Sequence, residues 1–299
     1  MTLSVQSISK TFGDFNAVDD ISFELSEGRM LGFLGRNGAG KTTTFRMILG
    51  LLKPTYGKVT YKGQKVDKHL YDSIGYLPEE RGLHTKHTVE EELVYLATLK
   101  GMPKKEIKKA LDVWLERFEV TEHRTKKIEA LSKGNQQKIQ LLASLIHKPE
   151  LLILDEPFSG LDPVNVELLK KAVIELNEAG TTIIFSSHRM DHVEELCDDV
   201  AIINKGQLVV SGSIKDVKND FGHKKIVIEG EHTYEDLEAL PGVVDLSQSK
   251  RVTEVLIEDE AVADQVFQAV VAKGYVKRFQ VIEPSLTDIF IQKVGEVHE

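Results

Sequence analysis

With Cys197 as its only cysteine in 299 residues, the chain has no second thiol for an intrachain disulfide and no set of ligands for a cysteine-based zinc site. It reads as a protein of a reducing compartment, and Cys197, in the helix-like stretch 191–199, reads as a small buried thiol. Also missing is any run of the ~18 to 20 apolar residues needed to cross a bilayer. The opening Met1-Thr2-Leu3-Ser4-Val5 lacks a signal-peptide pattern, so a role at a membrane is expected to come through a partner. Positive charge is short as well: 38 Lys and Arg stand against 47 Asp and Glu, a formal charge of −9, which argues against a general nucleic-acid binder. There is no internal repeat and no low-complexity tract. What remains is an ordinary globular composition, long enough for one large domain and a smaller one.

Hydrophobic patterning gives the order of elements. Leu3 to Ser9 and Ile21 to Leu25 alternate as strands and suggest an antiparallel opening sheet. Met30 to Leu34 is a short apolar run leading into a glycine loop, after which Thr43 to Leu52 has helical spacing and stops before Pro54. Leu151 to Leu154, Thr181 to Phe185 and Val200 to Ile203 have the pattern of buried parallel strands separated by helices. Between Val89 and Ile146 the pattern is almost continuously helical. After Phe221 it changes: Lys225 to Ile228, Thr253 to Ile257 and Phe279 to Ile282 read as strands, with Ala261 to Lys273 as a helix.

Gly35-Arg36-Asn37-Gly38-Ala39-Gly40-Lys41-Thr42 fits G-x4-G-K-[ST] without a mismatch, between a strand and a helix. The glycines let backbone N–H groups turn inward around phosphates, and the helix N-terminus adds the positive end of its dipole. Lys41 is placed to reach the β- and γ-phosphates of ATP, Thr42 offers a hydroxyl to Mg2+, and Thr43 follows in the same turn. The run Leu151-Leu152-Ile153-Leu154-Asp155-Glu156 ends a buried strand in two acids, which is costly unless something cationic compensates. Mg2+ is the evident compensation, held by Asp155 directly or through water, with Glu156 to orient or deprotonate the attacking water.

Pro157-Phe158-Ser159-Gly160-Leu161-Asp162 follows the acids, and Leu131-Ser132-Lys133-Gly134-Asn135-Gln136-Gln137 precedes them, with Asp155 lying 23 positions after Ser132. In this order these stretches resemble the ATP-binding subunits of ABC transporters. Leu131 to Gln137 is similar to the family signature, usually LSGGQ, with Lys133 and Asn135 as departures, and Pro157 to Asp162 is similar to the D-loop. The resemblance implies a head-to-tail dimer in which Ser132, Gly134 and Asn135 of one subunit face the γ-phosphate held by Lys41 of the other, with Asp162 nearby. It also implies that His188, after the strand ending in Ser186-Ser187, contacts the γ-phosphate and works with Glu156. Ile74-Gly75-Tyr76-Leu77-Pro78-Glu79 is similar to the family Q-loop with Glu79 in the glutamine position, where a carboxylate is able to ligate Mg2+ but not to donate to water as an amide does. Phe12 is placed like the aromatic residue that stacks on adenine, with Val18 beneath the base. A metal site built on His188 and His192 lacks an evident third ligand.

The fold class expected is therefore α/β: a P-loop NTPase core with a mainly parallel sheet, an N-terminal antiparallel β subdomain, a helical insertion at about 85–147, and a small α+β C-terminal domain. The expected domains are 1–220 and 221–299. The smaller one resembles, through Pro284-Ser285-Leu286-Thr287-Asp288-Ile289-Phe290, the domain appended to a branch of bacterial exporter-type ATPases that includes sodium-efflux-like members. The function implied is ATP hydrolysis, with ATP and Mg2+, energising transport, and export in particular, through a separate integral-membrane permease. The chain would act on the cytoplasmic face of the cell membrane, as a homodimer or paired with a second ATP-binding subunit, and without nucleic acid. Residues 82–95 would meet the permease, with Leu83, Val89, Leu93 and Tyr95 either lining a groove or packing inside the insertion. The lysine-rich stretch 104–109 and the basic run 124–127 read as solvated faces. The rival reading, a soluble ABC-type ATPase acting on ribosomes or DNA, is opposed by the single phosphate loop, the lack of sustained heptads and the acidic balance.

Overall fold

In a computed structural model, which describes residues 3–66, 70–80, 82–221, 223–230, 232–249 and 251–295, strand β1 (Leu3–Phe12) runs antiparallel to β2 (Phe15–Leu25). Leu3, Val5 and Ile8 are buried on one face of β1 opposite Leu25, Phe23 and Ile21 of β2, so the alternation in the sequence is that of a half-covered sheet. Strand β3 (Met30–Gly35), buried along its whole length, leads into helix α1 (Lys41–Ile48). Strands β4 (Tyr56–Tyr61) and β5 (Gln64–Lys65) then extend the first sheet to the order β2-β1-β4-β5. Arg81, next to the Q-loop stretch, lies outside the described residues.

Strand β6 (Ile74–Leu77) precedes three helices, α2 (Val89–Leu99), α3 (Lys104–Arg117) and α4 (Lys133–Leu145). The insertion is thus less continuous than its apolar spacing suggests. Pro103 caps α3, and residues 118–132 form short turns in place of a helix. Thr88 and Glu91 close a capping box at the start of α2. Arg124 reaches back to grip Glu90 at 2.9 and 2.6 Å and Asp112 at 2.6 Å, so it ties the turn to both α2 and α3 and corrects the solvated reading of that residue. Lys104, Lys105, Lys108 and Lys109 are exposed.

The remaining elements of the first unit are β7 (Leu151–Asp155), α5 (Pro163–Glu178), β8 (Thr182–Ser187), α6 (Met190–Leu196), β9 (Asp199–Asn204) and β10 (Gln207–Ser213). They build a six-stranded sheet in the order β10-β9-β3-β8-β7-β6, in which β6, β7, β8, β3 and β9 pair in parallel. Strands β3, β7 and β8 are buried on both faces, which is why they read as unbroken apolar runs. Because β8 lies between β3 and β7, the C-terminal ends of all three meet at one edge, and the phosphate loop, the two acids and the histidine arrive together. Cys197 caps α6, which stops short of the helix expected over 191–199 because β9 begins at Asp199. Burial pushes its thiol well up.

The chain divides into two compact units, Met1–Gly212 and Ser213–Glu299. The C-terminal unit begins ahead of the expected boundary at 220, because helix α7 (Ile214–Asp220), capped by Ser213, goes with it. It continues with β11 (Lys224–Gly230), β12 (Val243–Ser249), β13 (Val252–Ile257), α8 (Val262–Val271), β14 (Val276–Ile282) and α9 (Leu286–Gly295). Its sheet has the order β12-β13-β11-β14 with antiparallel pairs, over a core that includes Ile226, Ile228, Tyr234, Val255, Ile257, Val266 and Val270. The recognisable tail motif has a structural use. Ser285 and Asp288 bond reciprocally, Ser285 N and Oγ donating to Asp288 Oδ2 at 2.9 and 2.7 Å, and Lys225 Nζ fixes the other carboxylate oxygen at 2.7 Å.

Candidate functional site

The phosphate loop is shaped by close approaches that exclude side chains. Gly40 has φ +106°, and a Cβ there would stand 2.6 Å from the Ala17 carbonyl oxygen; one on Gly35 would stand 2.7 Å from that of Ile203. Gly38, at φ +80°, faces open space. Lys41, although charged, is buried, and its Nζ donates to the carbonyls of Gly35 at 2.8 Å and Arg36 at 3.4 Å. The ammonium is thus curled inside its own loop, held by acceptors that a phosphate oxygen can replace. Arg36, Asn37, Gly38, Gly40, Lys41, Thr42 and Thr43 line a cavity of about 490 Å³, while Ala39 is buried with its carbonyl accepting from Gly206 N at 3.0 Å.

At the ends of β7 and β8 the parallel register sets Asp155 beside Ser186. Asp155, almost fully buried, accepts from Thr42 Oγ1 at 2.8 Å through one oxygen and from Ser186 Oγ at 2.6 Å through the other. The same Ser186 hydroxyl accepts the Glu156 backbone N–H at 3.0 Å. Glu156 sits at φ +51°, a left-handed conformation rare for a residue with a Cβ, and strain of this kind costs about 1–3 kcal/mol. One of its oxygens, Oε2, meets His188 Nδ1 at 2.9 Å; the other, Oε1, is buried without a hydrogen-bond partner among the described residues. Burial raises the Glu156 pKa above the usual range, opposed by His188 and Lys41.

Ser186 is the residue that sequence reasoning passed over. Its only signal was a serine ahead of the histidine, and its meaning depends on which strand lies beside β7. Glu79 is exposed and lines the cavity, facing the phosphate loop. The aromatic wall differs from expectation: Phe15 and Ala17 line the cavity, not Phe12 and Val18. Phe12 is half exposed with Lys10 Nζ over its ring at 5.2 Å, and Val18 is fully buried against Gly40. His192 is buried edge-on to Phe158 at 5.3 Å, and no metal-ligand group among the described residues includes it with His188.

Ser132, Gly134, Asn135 and Asp162 lie outside the cavity of this single chain. Ser132 is exposed and caps α4, its Oγ accepting from Asn135 N at 3.2 Å, and the Asn135 amide nitrogen lies 2.8 Å from His123 Nε2. The helix therefore begins at Lys133, and the signature stretch forms its first turn. Asp162 caps α5, with Oδ1 accepting from Asn165 N at 3.1 Å, and these bonds lower its pKa.

A parallel sheet with a phosphate loop, a buried acid pair and a histidine on one edge defines a nucleotide-hydrolysing core, and comparisons with known proteins make the class specific. Residues 18–159 match the model of the ABC transporter family, and residues 212–294 match that of the C-terminal domain of DrrA1-3-like ATP-binding proteins. The uncharacterised ABC transporter ATP-binding protein YhaQ of Bacillus subtilis is 52% identical over 297 residues, 99% of this chain and 100% of that protein. The linearmycin resistance ATP-binding protein LnrL of the same organism is 38% identical over 228 residues, covering 75% of this chain and 73% of LnrL. Among solved structures, an ATP-binding subunit of an ABC transporter superposes with a TM-score of 0.70 at 30% identity, over 74% of this chain and 94% of that one. The chain belongs to the ABC transporter ATP-binding proteins: it binds and hydrolyses ATP and energises transport through a separate permease. A solved relative 29% identical, cbiO1 from Clostridium perfringens, is part of the ABC transporter complex cbiONQ, with a TM-score of 0.65 over 74% of this chain and 91% of that one. No helix among the described residues is long and apolar enough to cross a membrane.

Proposed function

We propose that Glu156 is the general base of ATP hydrolysis and that His188 holds it in position. The observation that carries this is the asymmetry of the carboxylate: Oε2 is occupied by His188, while Oε1 is buried and unpartnered among the described residues, and Glu156 lines a cavity shared with Lys41 and Thr42. A carboxylate with one free, desolvated oxygen is suited to accept a proton from a water aimed at the γ-phosphorus. Lys41 exchanges its two loop carbonyls for phosphate oxygens, and the Gly38 to Thr42 amides supply the rest of the cradle. Thr42 and Asp155 present a hydroxyl and a carboxylate to each other at 2.8 Å, a pair of hard oxygen donors that fits Mg2+. When bound, that ion neutralises phosphate charge. Glu79 borders the same space and is read as a further oxygen ligand or a water contact in place of an amide. Phe15 takes the adenine-facing role first expected of Phe12.

Ser132, Gly134, Asn135 and Asp162 are read as completing the site of another ATP-binding subunit, since the α4 N-terminus, exposed and with no acid in its first turn, suits an anion presented from outside. Leu83 and Tyr95, at the surface of the insertion, are the residues offered to the permease, at the inner membrane face; Val89 and Leu93 are fully buried inside the insertion. The name of the linearmycin resistance relative favours export. Glu156→Gln tests the assignment: hydrolysis with Mg2+ should fall by about 10²-fold or more while ATP still binds, and undiminished turnover would remove Glu156 from the role.

A further inference from the structure

Just beyond the Q-loop stretch, chemistry accumulates that nucleotide hydrolysis does not use. Glu92, in the first turn of α2, is fully buried, and no Lys or Arg pairs with it among the described residues. Its carboxylate accepts His84 N at 3.0 Å, and it meets His84 Nδ1 at 3.1 Å and His87 Nδ1 at 2.8 Å. A buried carboxylate with no Lys or Arg beside it is costly unless something cationic compensates.

We propose that His84, His87 and Glu92 bind a single divalent transition-metal ion of the zinc type. The donor set, two imidazole nitrogens and one carboxylate, is one that such ions prefer, and three protein ligands leave a fourth position for water. The ligand atoms all lie within 4.8 Å of one another. Around a tetrahedral ion with bonds of about 2.0–2.1 Å, neighbouring ligand atoms stand roughly 3.3 Å apart. Both imidazoles stand slightly inside that spacing to Glu92, at 3.1 and 2.8 Å, so those contacts have to open by a few tenths of an ångström while the gap between the two rings closes. The rings stack with centroids 4.9 Å apart, and the exposed sides of His84 and His87 leave them room to turn.

The frame beneath is rigid. Ile128 N donates to the His87 carbonyl at 3.0 Å, Glu129 N to that of Thr85 at 3.0 Å, and the capping box at Thr88 fixes the helix that carries Glu92. Tyr95 stands edge-on to both imidazoles at 5.4 and 6.1 Å and walls the site on the helix side. An ion here would clamp the loop 84–87 to α2, within the segment read above as facing the permease; the proposal itself is independent of the nucleotide chemistry.

The test uses the full chain, stripped of metal by a chelator and free of nucleotide. Titration with Co2+ should give visible ligand-field absorption at one ion per chain, and Zn2+ should displace it. His84→Ala and His87→Ala, both with exposed side chains, should each weaken binding by more than about 100-fold, since loss of outer-shell partners alone costs 10–100-fold. His123→Ala, elsewhere in the insertion, should bind as the parent does. Glu92→Gln should also lose the absorption, and if it fails to fold the two histidine variants carry the test. Binding of Co2+ with unchanged stoichiometry and affinity in the His84→Ala, His87→Ala double variant would assign the ion to another site and overturn the proposal, as would no binding by the parent chain.

Discussion

Replacing Ser186 by alanine takes one hydroxyl from a fully buried position and breaks two bonds at once. The Glu156 backbone N–H loses its acceptor inside the protein, and stranding a buried donor costs about 1–3 kcal/mol. Asp155 loses a hydrogen bond to a charged group, a loss of about 1.5–3 kcal/mol. Together these come to about 2.5–6 kcal/mol. At about 2–4 °C per kcal/mol for a unit of this size, the Tm of the first unit should fall by roughly 5–24 °C. Ser187→Ala is the matched control: its hydroxyl is also buried but, among the described residues, accepts only the Arg189 N–H at 3.0 Å, so about 1 kcal/mol is at stake. The chemical consequence is separate from the thermal one. Without the Ser186 clamp the left-handed Glu156 backbone relaxes, the carboxylate moves off its line to the γ-phosphate, and kcat should drop about 10- to 100-fold in enzyme still folded at the assay temperature. Thermal melting and steady-state phosphate release, run on both variants, read the two effects. If Ser186→Ala melts and turns over like Ser187→Ala, the network joining the two strands is not what positions the base.

The raised pKa of Glu156 has a definite sign. Since burial makes the folded chain hold this proton more tightly than the unfolded chain, the group stabilises the fold below its unfolded pKa, and that contribution is lost as pH rises through the higher folded value. The Tm of Glu156→Gln relative to the parent should therefore rise between acid and neutral pH, and the acid limb of parent kcat should lie above the range of an exposed glutamate; a Tm difference independent of pH would contradict this. Arg124→Ala should lower the Tm by a few °C, because the lost pair with Glu90 is partly buried and worth about 1 kcal/mol, while the exposed pair with Asp112 is screened and adds little. ATP affinity should stay unchanged in that variant, and equilibrium binding checks it.

What could be read in the sequence was what is contiguous or locally periodic. The phosphate loop is a single run whose glycines answer to local backbone demands, and β7 and β8 betray double-sided burial by unbroken apolar residues. Asp155 and Glu156 were legible because they end such a strand. Ser186 was not, because its function is set by which strand lies beside β7, and no local pattern encodes that neighbour. Phe12 and Phe15 stand opposite each other at the β1–β2 turn, and alternation alone does not say which ring turns toward the cavity. Strands β4 and β5 went unread because exposed residues break their pattern and one is two residues long. Arg124 resembled one more cation in a basic run; its partners Glu90 and Asp112 lie 34 and 12 positions away. His84, His87 and Glu92 escaped notice since two are in a loop and the third on a helix.

We propose that nucleotide held by Lys41 is completed by Ser132 of another ATP-binding subunit, and that a second copy of this chain can fill that place. Sedimentation of Glu156→Gln measures this most directly. With saturating Mg-ATP the particle mass should double, ADP should leave it single, and Ser132→Arg should abolish the doubling without loss of ATP binding. A chain that stays monomeric with every site filled by ATP would contradict the account.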